Sequence, residues 1–168
     1  DSYGVVTIYG PDGESGKDSA GELELVTGEV GVVDGDFLGS ITFKAYQEGS
    51  GTDSMLPGAA IWAEAEGSFN GASNATSLVF ATANSETAYH TDQARLTIDS
   101  TGKVGIGTSP SYMLDVETNT DDSYVAWFEN IHATGHGVLI RGGTTANENA
   151  LHVQDDNGAN NLFVVRGN

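Results

Sequence analysis

Glu64 and Glu66 are the pair of side chains whose type and spacing best suit bond-breaking chemistry. They lie in Ala59-Ala-Ile-Trp-Ala-Glu-Ala-Glu66, a run rich in helix-forming Ala and Glu but bounded at strand length by Gly58 and Gly67. Ile61, Ala63 and Ala65 alternate with Trp62, Glu64 and Glu66, so the run reads as a strand with the first three facing inward. Carboxylates two residues apart on a strand project from one face about 7 Å apart, within the range glycosidases use. A solvated strand face accounts for the same pair, and no enzyme is expected. There is no Cys, no Gly-x-Ser-x-Gly and no Ser beside a recognisable base.

Metal chemistry has two candidate sets. Asp34, Asp36 and Glu29 offer hard oxygen ligands for Ca²⁺, although aspartates beside Gly35 serve more often as turn residues. His132 and His136 have a four-residue spacing, but Gly135 and Gly137 oppose the helix that would align them. His90, His132, His136 and His152 otherwise read as loop residues, and a ring of them around an axis is the one inter-chain metal candidate. No cofactor is expected. The loop Gly10-Pro-Asp-Gly-Glu-Ser-Gly-Lys-Asp18 approaches a phosphate-binding loop and fails, because Asp18 stands where Ser or Thr is required and no helix pattern follows. Gly102, Gly105 and Gly107 fail as a dinucleotide fingerprint because Pro110 blocks the following helix. Tyr89, Tyr112, Tyr124, Trp62 and Trp127 remain as stacking faces for sugars.

The elements that would position these residues are short strands. Leu96 and Ile98 alternate with Thr97 and Asp99, Ser-Thr-Gly102 supplies a turn, and Val104 and Ile106 alternate with Gly105 and Gly107. That is a β-hairpin closed by a glycine at positive φ, whose second strand stops before Pro110. Upstream, Val5–Tyr9, Leu23–Val26, Val30–Val33, Ile41–Tyr46 and Ser77–Thr82 read as strands. Downstream, apolar clusters begin at Leu114, Val125, Val138, Leu151 and Leu162, spaced 11, 13, 13 and 11 residues apart. This rhythm predicts rung-like β repeats. Such a segment is too thin to bury its own apolar face, so it needs partners, and association of identical chains is the expected remedy.

The fold expected is all-β: a β-sandwich-like unit over 1–94, a hairpin connector over 95–117 and a β-rung segment over 118–168. Six Lys plus Arg against 24 Asp plus Glu give a net charge of −18, which opposes nucleic acid and anionic membranes. No stretch of roughly 20 apolar residues suggests membrane insertion. Asp1 is not an initiator Met, and the chain reads as a fragment or processed form.

The run Arg95-Leu-Thr-Ile-Asp-Ser-Thr-Gly-Lys-Val-Gly-Ile-Gly-Thr-Ser-Pro110, followed by Leu114-Asp-Val116, resembles a segment that recurs in bacteriophage tail fibres and tailspikes, often upstream of a C-terminal intramolecular chaperone. Gly58–Gly67 and Leu78–Thr82 resemble strands that precede it, so the resemblance spans about 58–116. It implies an intertwined homotrimeric fibre, an extracellular place on the virion, and a structural and adhesive role in host attachment. Other tail proteins and a host glycan or protein receptor are the implied partners. A glycan-cleaving tailspike using Glu64 and Glu66 is one alternative, and a non-viral extracellular fibre is another.

Overall fold

The computed structural model describes residues 6–11, 20–45, 55–85, 87–88, 94–141, 149–154 and 160–166. Among these the protein is all-β, with eight strands and no α-helix. The chain divides into two units, Asp1–Val125 and Ala126–Asn168.

The first unit holds six strands: β1 (Phe37–Phe43), β2 (Ala59–Ala65), β3 (Thr76–Thr82), β4 (Ala94–Ile98), β5 (Val104–Ile106) and β6 (Leu114–Val116). They form one sheet in sequential order, so each strand pairs with its neighbour in the chain. The first five are antiparallel, as short connections allow, and β6 pairs parallel to β5. The described residues of the second unit form one antiparallel pair, β7 (Asn149–Gln154) and β8 (Asn161–Arg166).

The register fixes two faces. On one, Ile41, Ile61, Phe80, Leu96, Ile106 and Val116 stand directly opposite one another across all six strands. Beside that row run Gly39, Ala63, Leu78, Ile98, Val104 and Leu114. The other face carries the core: Trp62, Ala60, Val79, Ala81 and Ala88 are buried, with Phe37 and Ala83 packed against them. Phe37 lies parallel to Trp62 with ring centroids 5.4 Å apart.

This reverses the expected facing of β2. Ile61 and Ala63 are only half-buried, whereas Trp62 is 4% exposed; Ala65 alone of the expected inward set is fully buried. Alternation identifies two faces, and both faces of β2 carry apolar residues. Trp62 has by far the largest apolar side chain of the run, and its indole N–H is satisfied by the Glu64 carboxylate at 3.0 Å, so it can be buried without an orphan donor.

Three expected strands are not formed. The described residues of Val5–Tyr9, and the whole of Leu23–Val26 and Val30–Val33, are irregular. Val6, Leu23, Val26 and Val30 are exposed, and the segment touches the sheet through isolated bonds such as the Phe69 amide to the Val32 carbonyl at 2.9 Å. An apolar alternation fits a sheet surface but does not supply the ladder partner that makes a strand. Of the five apolar clusters beginning at Leu114, those at Leu114, Leu151 and Leu162 become β6, β7 and β8. The clusters at Val125 and Val138 lie in irregular chain. The first of the five belongs to the six-stranded sheet rather than to a series of rungs.

Candidate functional site

The hairpin β4–β5 is built by one aspartate and three glycines. The Gly102 amide donates to the Asp99 carbonyl at 3.0 Å and the Asp99 amide to the Lys103 carbonyl at 3.0 Å, enclosing the loop 100–102. Gly102 has φ +81°, a conformation an L side chain resists. Asp99 Oδ1 accepts from the Thr101 amide at 2.9 Å, the Thr101 hydroxyl at 2.8 Å and the Lys103 amide at 2.9 Å. Burial pushes the Asp99 carboxyl up, but the bonds from Lys103 and Thr101 together with the Lys103 charge outweigh it and hold the group below its ordinary value.

Beyond Ile106 the chain must return to pair with the same strand in parallel, using only residues 107–113. A parallel connection usually takes a dozen or more residues. Here it is short because the loop passes directly over β5. A Cβ on Gly105 would collide with the Thr108 carbonyl oxygen and lie 2.9 Å from Pro110 Cδ, so only glycine lets the loop cross there. Gly107 turns the chain at φ +77°. The return is fastened by the Val104 amide to the Met113 carbonyl and the Glu117 amide to the Ile106 carbonyl, both 3.0 Å. The Ser111 amide donates to Asp115 Oδ2 at 3.0 Å.

This crossing loop forms one wall of a groove of about 620 Å³ on the Trp62 face. Val79, Thr97 and Ser77 line it together with Glu64, Glu66, Asp99, Ser109 and Pro110. The two carboxylates singled out from the sequence therefore share a cavity, with Asp99 as a third. Each also has a structural bond: Glu64 Oε2 accepts from Trp62 Nε1 at 3.0 Å, and Glu66 Oε2 accepts from the Ser100 amide at 3.1 Å. The latter ties the end of β2 to the hairpin turn. Chemically, the groove presents hydrogen-bond acceptors and hydroxyls, suited to a polyhydroxylated or cationic group.

The remaining candidates are dispersed. Trp62 is enclosed between Phe37 and the core, so its ring faces are not open to a sugar. Tyr112, Tyr124 and Trp127 are exposed, and Trp127 donates to Glu129 Oε2 at 3.1 Å. Tyr89 and His90 lie outside the described residues, as does most of the Gly10–Asp18 loop. Asp36 acts as a turn residue: its Oδ2 accepts from the Val33 amide at 2.7 Å, and Gly35 between it and Asp34 has φ +83°. His132 Nδ1 lies 3.2 Å from the Thr134 amide, which donates to it. Asn130 spans the same loop by bonds to the His132 amide and the His136 carbonyl. Among the described residues no His, Asp or Glu cluster of three is placed to hold a metal ion.

Sequence reading missed Asp99 as the organiser of the turn, and Ser77, Thr97 and Ser109 as groove residues. Asp99-Ser-Thr-Gly102 carried a usable signal, since an Asx side chain that bonds amides two and four residues on is a recurrent turn device. The serines and threonine carried none, because only pairing and the crossing loop bring them together. Comparison with known protein families and with curated proteins finds no match to this chain.

Proposed function

We propose that this protein is a structural and adhesive segment of a viral tail fibre, assembled as a homotrimer on the outside of the particle. The observation that carries the reading is unburied apolar surface. Among the described residues thirty large hydrophobic side chains are exposed, against six buried apolar residues, and several of them, Ile41, Leu78, Phe80, Ile106 and Leu114, gather on one face of the six-stranded sheet, as a contiguous patch that takes a partner would. The second unit makes the point most strongly: Leu162, Phe163 and Val165 are exposed on a two-stranded pair, an element marginal by itself in water. The resemblance of Arg95–Val116 to phage tail fibres supplies the class of assembly. In it, sheets of neighbouring copies face one another in a sandwich-like or intertwined arrangement. Exposed Tyr112, Tyr124 and Trp127 are the side chains proposed to meet a host glycan or protein receptor, with several copies multiplying weak contacts.

Light scattering coupled to size-exclusion chromatography tests the assembly, with a mass three times that of the 17.4 kDa chain expected and a folded monomer refuting it. Electron microscopy of virions decorated with antibody against the chain tests the location. A second reading, glycan cleavage, is favoured by one observation, the presence of Glu64 and Glu66 in one groove. Release of oligosaccharides from surface polysaccharide, lost in Glu64→Gln, would support it; absence of release would remove it.

A further inference from the structure

We infer that Asn70 is a site of spontaneous covalent modification: its side-chain amide condenses with the Gly71 nitrogen and loses ammonia, leaving a carboxylate in the β2–β3 turn. Among the described asparagines Asn70 alone precedes a glycine, and the chain's other Asn-Gly pair, Asn157-Gly158, lies outside the described residues. The Asn70 amide donates to the Ser73 carbonyl at 2.9 Å and the Ser73 amide to the Asn70 carbonyl at 3.3 Å, so Gly71 and Ala72 form the tip of a tight turn. Asn70 Oδ1 accepts from the Ala72 amide at 2.9 Å, and Asn70 Nδ2 donates to the Ser68 carbonyl at 3.2 Å. The bond to Oδ1 closes a ring that contains the Gly71 nitrogen, which folds the side-chain carbonyl carbon back toward that atom. It also draws electron density from the carbonyl, as a donor to a developing oxyanion does. Among the described residues the Gly71 amide has no hydrogen-bond acceptor, and residues 70–74 are exposed to water. Gly71 carries no side chain to shield its nitrogen, whereas Asn74, Asn84 and Asn130 precede Ala75, Ser85 and Ile131.

The step balances with water as its only outside reactant. Hydroxide removes the Gly71 amide proton, the nitrogen bonds to Asn70 Cγ, and the Cγ–Nδ2 bond breaks. The leaving nitrogen takes a proton from water, departs as ammonia and regenerates the hydroxide. Water then opens the cyclic imide at either carbonyl. Cleavage at Cγ gives aspartate at position 70, and cleavage at the main-chain carbonyl gives isoaspartate, in which the chain runs through Cβ. Isoaspartate adds a methylene to the main chain and throws the paired bonds between Asn70 and Ser73 out of register. The neighbouring Phe69 amide donates to the Val32 carbonyl at 2.9 Å, so the change also reaches the segment that precedes β1.

The test holds the folded full chain at mildly alkaline pH and physiological temperature and maps its peptides by mass spectrometry, with fragmentation that separates isoaspartate from aspartate. The expected result is progressive conversion at Asn70, with isoaspartate the larger product, while Asn74 and Asn84 stay amidated over the same interval. Gly71→Ala is the decisive variant, because a Cβ there meets nothing within 4 Å and the turn can keep its form. Conversion at Asn70 should be lost in Gly71→Ala, with no fall in its thermal midpoint. An Asn70 that stays intact in the folded chain overturns the inference, and conversion of the same residue in urea would then show that the turn protects it. Conversion that continues undiminished in Gly71→Ala also overturns it, since the Gly71 nitrogen would not control the attack.

Discussion

A single methyl group at Gly105 tests the crossing loop on which the hairpin and the groove wall depend. An ideal Cβ there collides with the Thr108 carbonyl oxygen and lies 2.9 Å from Pro110 Cδ and 3.1 Å from Pro110 N. Two of the three atoms are backbone and the third belongs to a rigid ring, so no change of rotamer relieves the contact. If the loop stays in place, the strain resembles core overpacking, at about 1–3 kcal/mol. If the loop lifts, the bonds from Val104 to Met113 and from Glu117 to Ile106 are lost. Their net worth is about 0.5–1.5 kcal/mol each, and β6 loses its pairing with β5 as well. Both routes span about 1–3 kcal/mol, and the lost pairing of β6 with β5 places Gly105→Ala toward the upper end, about 3 kcal/mol. Gly102→Ala is the control: its Cβ meets nothing within 4 Å, and only the φ of +81° opposes it. That conformation costs an L residue about 1–2 kcal/mol. For a chain of 168 residues each kcal/mol moves the midpoint by about 2–4 °C, so Gly105→Ala should melt about 6–12 °C below wild type. Thermal melts of the three proteins by circular dichroism give the comparison. Equal losses for the two variants, or a larger loss for Gly102→Ala, would refute the crossing-loop account.

Other outcomes follow from the same geometry. Gly102→Val, with a β-branched residue at positive φ, should impair assembly more than His132→Ala, His136→Ala or His152→Ala, each at an exposed site where changes stay within about 0.5 kcal/mol; chromatography and melts of the four variants rank them. Trp62→Ala removes the ring stacked on Phe37 and the donor to Glu64, and should destabilise the sheet by about 3–5 kcal/mol, measured by chemical denaturation. Asp99 has a folded pKa lowered from the ordinary 3.8. Its contribution is therefore present above that value and lost as pH falls through the lowered one, so the stability gap between wild type and Asp99→Ala should hold at neutral pH and close in acid. A gap that widens in acid would contradict the bonding around Asp99.

The hairpin was legible because its cause is local. Asp99, Gly102 and the alternation on either side determine a turn whose bonds close within five residues. The strand character of Ala59–Ala65 was legible for a similar reason, since its period and its bounding glycines outweigh the helix propensity of Ala and Glu. What could not be read was which face of that strand is inside. The answer depends on Phe37, 25 residues before Trp62, reaching the same face after a bulge between Phe37 and Gly39 shifts the pairing. The groove was half legible: Glu64 and Glu66 share a face by periodicity, but the wall opposite exists because the return from Ile106 to Leu114 crosses β5 at a glycine. Strands predicted at Leu23 and Val30 failed because the pattern was present but the segment makes only isolated bonds and no ladder.

The sheet poses a problem of balance. Its buried face is closed by a small set of side chains, Trp62 with three alanines, Val79 and a flanking Phe37, which offers little apolar area for six strands. Its other face carries Ile, Leu, Val and Phe at nearly every position of two rows and is left half open. A sequence selected for a solitary domain would place the larger side chains on the closed face, where each contributes about 1.5–3 kcal/mol on full burial. Here the order is inverted, so most of the apolar area available to stabilise the sheet lies on the side that the described residues of the first unit leave half open. The strength of the fold should therefore depend on protein concentration: dilution that separates copies exposes the larger face and lowers the melting midpoint. A midpoint that stays constant over a hundredfold dilution would show that the small Trp62 core suffices alone, and the inverted distribution of side chains would then need a different cause.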